Sequence, residues 1–138
     1  MTSNLSTHGL HDASQMGMRV AVGVIFIVHG VSKFGNPGFG DWISSLGIPA
    51  EMQIPIALAE FIPGILLIIG VLTRISASLI SIVMLGAIFL VKGASSLTGD
   101  YGYELDLILL AACLVVIVAG RGRASLSYVL KKVPRVLQ

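Results

Sequence analysis

The stretch from residue 54 to residue 72, IPIALAEFIPGILLIIGVL, decides the fold. Its side chains are apolar apart from one carboxylate, Glu60. A helix of this length approaches the roughly 30 Å thickness of a bilayer's hydrocarbon layer, since each residue adds about 1.5 Å. Lipid offers the backbone no hydrogen bonds, so a segment of this kind is expected to be a transmembrane helix.

Three further apolar stretches accompany it, and together they predict an all-α integral membrane four-helix bundle. The four expected spans are 17–34, 54–72, 75–91 and 105–120. We divide the chain into a polar N-terminal arm, a transmembrane domain and a basic C-terminal tail, over residues 1–16, 17–127 and 128–138.

The composition supports a membrane environment. Of the 138 residues, 55% are hydrophobic and 12% are charged, against about 25% charged in an average soluble domain. This excludes most soluble enzymes, nucleic-acid binders and disordered chains. The basic C-terminal cluster is interpreted as a contact for anionic lipid, because no nucleic-acid recognition motif accompanies it. The expected location is the cell membrane, as a multi-pass protein.

The cations predict the orientation. Four spans put both termini on one side, together with seven of the nine cations: Arg19, Arg74, Arg121, Arg123, Lys131, Lys132 and Arg135. The other side holds Lys33 and Lys92. By the positive-inside rule both termini face the cytoplasm. The first outer loop is expected to form a short interfacial helix, because its apolar residues recur at helical spacing: Phe39, Trp42, Ile43 and Leu46.

Glu60 is the first candidate for a functional residue. A carboxylate at membrane depth costs about 2.5–3.5 kcal/mol on insertion scales, so it is expected to have a partner or a role. Counting from the helix ends brings His29 and Lys33 within reach. Glu60 then either fixes the packing of two helices or handles protons or a ligand, with His29 as the second candidate catalytic residue. A metal site built from these two residues and an outer carboxylate is an alternative, but no metal is assigned.

Two arginines and four glycines complete the candidates. Arg19 and Arg74 either extend to lipid phosphates or form a shared anion-binding site. The glycines are expected at helix-packing positions, because small residues allow helices to approach closely; they are Gly23, Gly30, Gly64 and Gly70.

The same residues form three ordered motifs. They are RxxxGxxFxxxGxxK over residues 19–33, ExxxGxxLxxGxxxR over residues 60–74, and GRGRASLS over residues 120–127. With four expected spans, this pattern resembles the DoxX/DoxD-like family of small four-helix membrane proteins. The resemblance implies that the family's charged positions are Arg19, Lys33, Glu60 and Arg74.

The resemblance also implies a set of functions, since some relatives are subunits of thiosulfate:quinone oxidoreductase. We expect a small subunit of a membrane complex, linked to quinone-dependent redox chemistry and not catalytic alone. The alternatives are a purely structural or assembly subunit and a small proton-coupled transporter acting as a dimer. With one cysteine, Cys113, and no haem or iron–sulfur motif, the electron carrier would be quinone or another subunit. The expected partners are the lipid bilayer and either other membrane subunits or further copies of this chain.

Overall fold

The computed structural model describes residues 2–120, 122, 125, 134, 136 and 137, and every regular element within them is helical. The α-helices are α1 Thr2–Phe34, α2 Gly38–Ser45, α3 Gln53–Ile69, α4 Thr73–Gly86 and α5 Glu104–Ala119. A 3-10 turn, Ala50–Met52, leads into α3, and a π-helical segment, Ala87–Val91, extends α4. The all-α prediction is confirmed. The basic tail at 128–138 and the motif at 120–127 lie largely outside the described residues.

Three helices of the described chain are long and apolar enough to cross a membrane. They cover His8–Phe34, Ala50–Ile69 and Thr73–Val91. Helix α5 is equally apolar in character but has 16 residues, which corresponds to about 24 Å. The molecule is therefore a helical membrane protein whose fourth long helix is shorter than a hydrocarbon layer.

The long helices close into a ring around one core. Helix α1 packs most extensively against α3 and α4 against α5, while α3 contacts α4 and α1 also contacts α5. The core between them comprises Val22, Phe26, Leu67, Ala77, Ile80, Met84, Leu109, Cys113 and Val116. Large apolar side chains also point outward from all four helices, as expected where the solvent is lipid.

Glycines bring α1 and α3 into close contact. A Cβ atom placed on Gly23 would lie 2.6 Å from the carbonyl oxygen of Gly64, and one on Gly30 would lie 2.9 Å from the carbonyl oxygen of Ala57. The opposing atoms belong to the backbone, which moves less readily than a side chain. Only hydrogen fits at these positions, so the two helices approach as closely as their backbones allow.

A three-residue turn, residues 70–72, joins α3 to α4. Gly70 has φ +73° and accommodates the left-handed conformation at the end of α3, where the backbone N–H of Val71 donates to Leu66 O at 3.0 Å. Leu72 also has a positive φ, +50°. The turn places Thr73 at the start of α4, directly beside the end of α3.

The N-terminal segment differs from expectation. Residues 2–16 continue α1 instead of forming a separate arm. Gln15 is buried, with 8% of its surface exposed, and Gly122 lies against Asp12 and Gln15. Apart from Asp12 and Gln15, the side chains of residues 8–16 are exposed.

Helix α2 forms where the first outer loop predicts a short helix. Its Phe39 and Ile43 are buried, whereas Trp42 is 44% exposed and Leu46 is 37% exposed. Trp42 and Phe39 remain in contact, with ring centroids 5.5 Å apart. Of the four residues of the predicted apolar face, two therefore pack into the bundle and two are exposed.

Candidate functional site

The buried carboxylate of α3 forms an ion pair with the last turn of α1. Glu60 is 3% exposed, and its Oε2 is bonded to Nζ of Lys33. The Lys33 side chain is 19% exposed, so the pair touches the surface through the lysine. A buried charge needs such a partner, because desolvation would otherwise oppose its ionised form.

Neighbouring elements fix the position of Lys33. Its Nζ lies 3.5 Å from the carbonyl oxygen of His29 and 5.6 Å from the ring centroid of Phe39 in α2. Its own carbonyl accepts a hydrogen bond of 2.8 Å from the side-chain amide of Gln53 at the start of α3. Three helices thus hold one ammonium group, which restricts where it points.

Of the two partners considered for Glu60, Lys33 forms the bond, and His29 lies close to the pair. Its half-buried ring packs edge-on against Phe26, with centroids 5.9 Å apart. Glu60 bonds to Lys33. The imidazole lies within electrostatic range of four charged side chains: Lys33, Glu60, Lys92 and Asp106.

A second ion pair lies at the same end of the bundle, and the sequence analysis missed it. Nζ of Lys92 contacts Oδ2 of Asp106 at 2.5 Å and donates to the carbonyl oxygen of Gly102 at 2.8 Å. Asp106 is 8% exposed. The signal in the sequence is that Lys92 ends one apolar helix and Asp106 begins the next, since ionisable residues within membrane segments usually pair with one another. We call this region, with Lys33, Glu60, His29, Lys92 and Asp106, the Lys33 end of the bundle.

The Lys33 end brings together groups that are able to exchange protons. It combines two lysine–carboxylate pairs with an imidazole, all partly or fully withdrawn from solvent. The ring of Phe39 lies near the Lys33 ammonium, and Phe34 and Phe61, each next to a member of the first pair in sequence, pack edge-to-face at 6.0 Å. Charged groups in an apolar enclosure are typical of functional sites, although structural ion pairs share this feature.

The two arginines lie at the opposite end, which we call the Arg19 end. The expectation that Arg19 extends to lipid phosphates is wrong, because its side chain is fully buried and Nη1 donates to Leu67 O at 3.2 Å. The turn at Gly70 covers the guanidinium, so that a Cβ atom there would collide with Nη1. Arg74 is half-buried in the first turn of α4.

Metal-binding side chains do not cluster within the part of the chain that the structure describes. No group of three or more histidine, cysteine, aspartate or glutamate residues there has a spacing suited to a metal ion. Cys113 lies fully buried in the core.

Comparisons with known proteins agree with the membrane architecture. The DoxX family model matches residues 15–93. A Bacillus subtilis (strain 168) protein described as a putative oxidoreductase, CatD, is 38% identical over 104 residues, which is 75% of this chain and 76% of its own length.

Two further relatives have less specific descriptions. The uncharacterized membrane protein Rv3486 of Mycobacterium tuberculosis is 31% identical over 141 residues, covering 91% of this chain and 86% of its own. An uncharacterized protein of Haemophilus influenzae is 39% identical over 88 residues, covering 62% of this chain and 58% of its own. No solved structure matches the chain significantly.

Proposed function

Since this chain belongs to the DoxX family of membrane proteins, we propose that it is a subunit of a membrane oxidoreductase complex and binds a quinone at the Lys33 end. The observation that carries the proposal is the buried Lys33–Glu60 pair. The description of one relative as a putative oxidoreductase is consistent with it. The chain alone is not expected to be catalytic.

The residues present fit a quinone headgroup. Quinone carbonyl oxygens accept hydrogen bonds, and the partly exposed ammonium of Lys33 is a donor at the edge of an apolar, aromatic surface. Ligand sites commonly combine a mostly apolar wall with a few fixed polar groups. Glu60 would position Lys33, and His29 would lie one helical turn deeper.

The proposed role of this chain is to bind and orient the quinone and to supply it with protons. Reduction of a quinone to the quinol consumes two electrons and two protons. The electrons would come from a partner subunit with a redox group, because this chain has a single cysteine and no haem or iron–sulfur motif. The protons would pass from water through Lys33, which Glu60 holds in place.

We also propose that four helices cross the membrane, with both termini in the cytoplasm. The distribution of cations supports this topology, and α5 would cross with local thinning of the bilayer. The Lys33 end would then lie near the outer surface, where protons are available from water.

The single tryptophan provides the test. Trp42 contacts Phe39, and Phe39 contacts Lys33, so a quinone bound there would quench tryptophan fluorescence. We expect decylubiquinone to quench the purified full-length protein saturably. We expect Glu60→Gln to weaken its binding at least tenfold, because a hydrogen bond involving a charged group contributes about 1.5–3 kcal/mol.

Glu104→Gln is the matched control, since Glu104 is an exposed carboxylate at the same end of the bundle. It is expected to retain the affinity of the wild-type protein. Equal, non-saturable quenching of all three proteins would reject the quinone site.

The second candidate is a structural or assembly role. It is favoured by the low exposure of the Glu60 side chain, 4%, which limits contact with any ligand. In that case Glu60→Gln would lower thermal stability or assembly while quinone titrations of wild type and variant coincide.

A further inference from the structure

Four polar side chains are buried at the Arg19 end of the bundle, far from the proposed quinone site. They are Gln15, Arg19, Thr73 and Ser76, with exposed fractions of 8%, 0%, 0% and 1%. We call them the inner polar cluster. Arg19 and Lys33 are fourteen residues apart on α1, or about 21 Å along a helix, so the cluster is a separate feature.

Helix α1 and the turn after α3 position the cationic part of the cluster. Gln15 and Arg19 are four residues apart on α1 and share one face. Arg19 donates to Leu67 O, and Gly70 in its left-handed conformation lies directly on the guanidinium. Gly122 lies against Gln15 and within reach of Asp12.

Helix α4 contributes the hydroxyl groups from its core-facing side. Thr73 and Ser76 lie on the same face as Ala77 and Ile80, and those two belong to the core that includes Leu67. Gly70, which lies on the guanidinium of Arg19, precedes Thr73 by three residues, so α4 begins close to that group.

These neutral groups lack partners, as far as the described part of the chain is concerned. No hydrogen bond reaches Oε1 of Gln15, Oγ1 of Thr73 or Oγ of Ser76. By contrast, Ser78 and Ser81 of the same helix donate to the carbonyls of Arg74 and Ala77, each at 2.7 Å. Buried polar groups are normally bonded, so the two unpartnered hydroxyl groups on one face of α4 call for an explanation.

The start of α4 adds further donors. Its first backbone N–H groups carry the positive end of the helix dipole, and no side chain among the described residues caps them. The start of α4 therefore combines two buried hydroxyls with a helix N-terminus, close to a buried guanidinium. Donors and positive charge of this kind match a tetrahedral oxyanion.

We propose that the inner polar cluster binds a phosphate group, supplied either as a free anion or as a phospholipid headgroup. The shared chemistry is a phosphate oxygen accepting hydrogen bonds from the hydroxyls of Thr73 and Ser76 and from the first backbone N–H groups of α4. The proposal does not depend on the quinone site.

Two probes distinguish the sources of the phosphate. Purified, delipidated full-length protein in a neutral detergent is titrated with inorganic phosphate in one series and with dihexanoyl phosphatidylglycerol in another. Chloride at matched ionic strength is the reference. We expect one probe to raise the thermal unfolding midpoint saturably by several degrees, because a ligand that binds only the folded state stabilises it. The probe that raises the unfolding midpoint shows whether the phosphate comes from solution or from a phospholipid headgroup.

Variants of the cluster residues test whether the probe that raises the unfolding midpoint binds at the cluster. Thr73→Val and Ser76→Ala are each expected to weaken binding at least tenfold, whereas Ser78→Ala, which removes a bonded hydroxyl elsewhere on α4, leaves it unchanged.

Three results would overturn the proposal. One is a shift no larger with either probe than with chloride, as an adventitious screening effect would give. Another is an equal loss of binding in the Ser78→Ala control. The third is a phosphate response that persists in full when Thr73 and Ser76 are replaced together.

Discussion

Gly30 sets the geometry of the proposed site because a glycine has no Cβ atom. A Cβ atom there would lie 2.9 Å from both Ala57 O and the backbone nitrogen of Phe61. Glu60 stands between these two residues in α3, and Lys33 follows Gly30 by three residues on α1. The close approach at Gly30 therefore brings the lysine within bonding distance of the carboxylate.

We expect Gly30→Ala to destabilise the protein by about 1–3 kcal/mol, because the added methyl forces two backbones apart. The measurement is the free energy of unfolding of the full-length protein in mixed detergent micelles. Gly86→Ala is the matched control, since nothing lies within 4 Å of a Cβ atom there; it is expected to be neutral or stabilising by up to about 1 kcal/mol. Equal stability of Gly30→Ala and wild type would contradict the argument.

Helix α2 is held in place by hydrogen bonds from a side chain of α3. The side-chain amide of Gln53 donates to the carbonyls of Lys33 at 2.8 Å and Asn36 at 2.9 Å. One residue at the start of α3 thus ties down the end of α1 and the turn that begins α2. Helix α2 has 8 residues, too few to be stable without tertiary contacts.

We expect Gln53→Leu to loosen α2 without unfolding the bundle. Loss of two hydrogen bonds, at about 0.5–1.5 kcal/mol each, should raise amide hydrogen exchange over residues 38–45 by roughly tenfold or more. Exchange within α4 should be unchanged. Ser45→Ala removes an exposed hydroxyl bond within the same region, to Trp42 O, and should have little effect. Unaltered hydrogen exchange in α2 of Gln53→Leu would show that these two hydrogen bonds are not needed to hold α2 in place.

The whole molecule is a ring of long helices with polar groups concentrated at its two ends and apolar side chains between them. The Lys33 end has two lysine–carboxylate pairs, and the Arg19 end has a buried guanidinium. Seven of nine cations fall on the sequence segments assigned to the Arg19 side. By the positive-inside rule this distribution of cations favours the proposed orientation, with the Arg19 end towards the cytoplasm.

We expect the C-terminus and the loop at 93–103 to lie on opposite sides of the membrane. A fluorescent protein fused after Gln138 should fluoresce in the cytoplasm, and Ser96→Cys should react with a membrane-impermeant maleimide in intact cells. Native Cys113 is fully buried and serves as the unreactive background. Placement of both positions on one side would mean that α5 does not cross, leaving three spans.

The sequence by itself determined the environment and the class of the molecule. Long apolar segments with few charges must form helices in lipid, because only internal hydrogen bonds satisfy their backbones. The spacing of charged residues and glycines was also sufficient to indicate the DoxX family, which the comparisons confirmed. These features are local, so they are visible in one stretch of chain at a time.

Only the tertiary structure decided which charges meet. The choice of Lys33 over His29 as the partner of Glu60, the Lys92–Asp106 pair and the burial of Arg19 each depend on residues distant in sequence. Their pairing is set by the rotation and separation of whole helices. Contacts between backbones at Gly23, Gly30 and Gly64 fix both quantities, and a periodic pattern along one helix does not specify them.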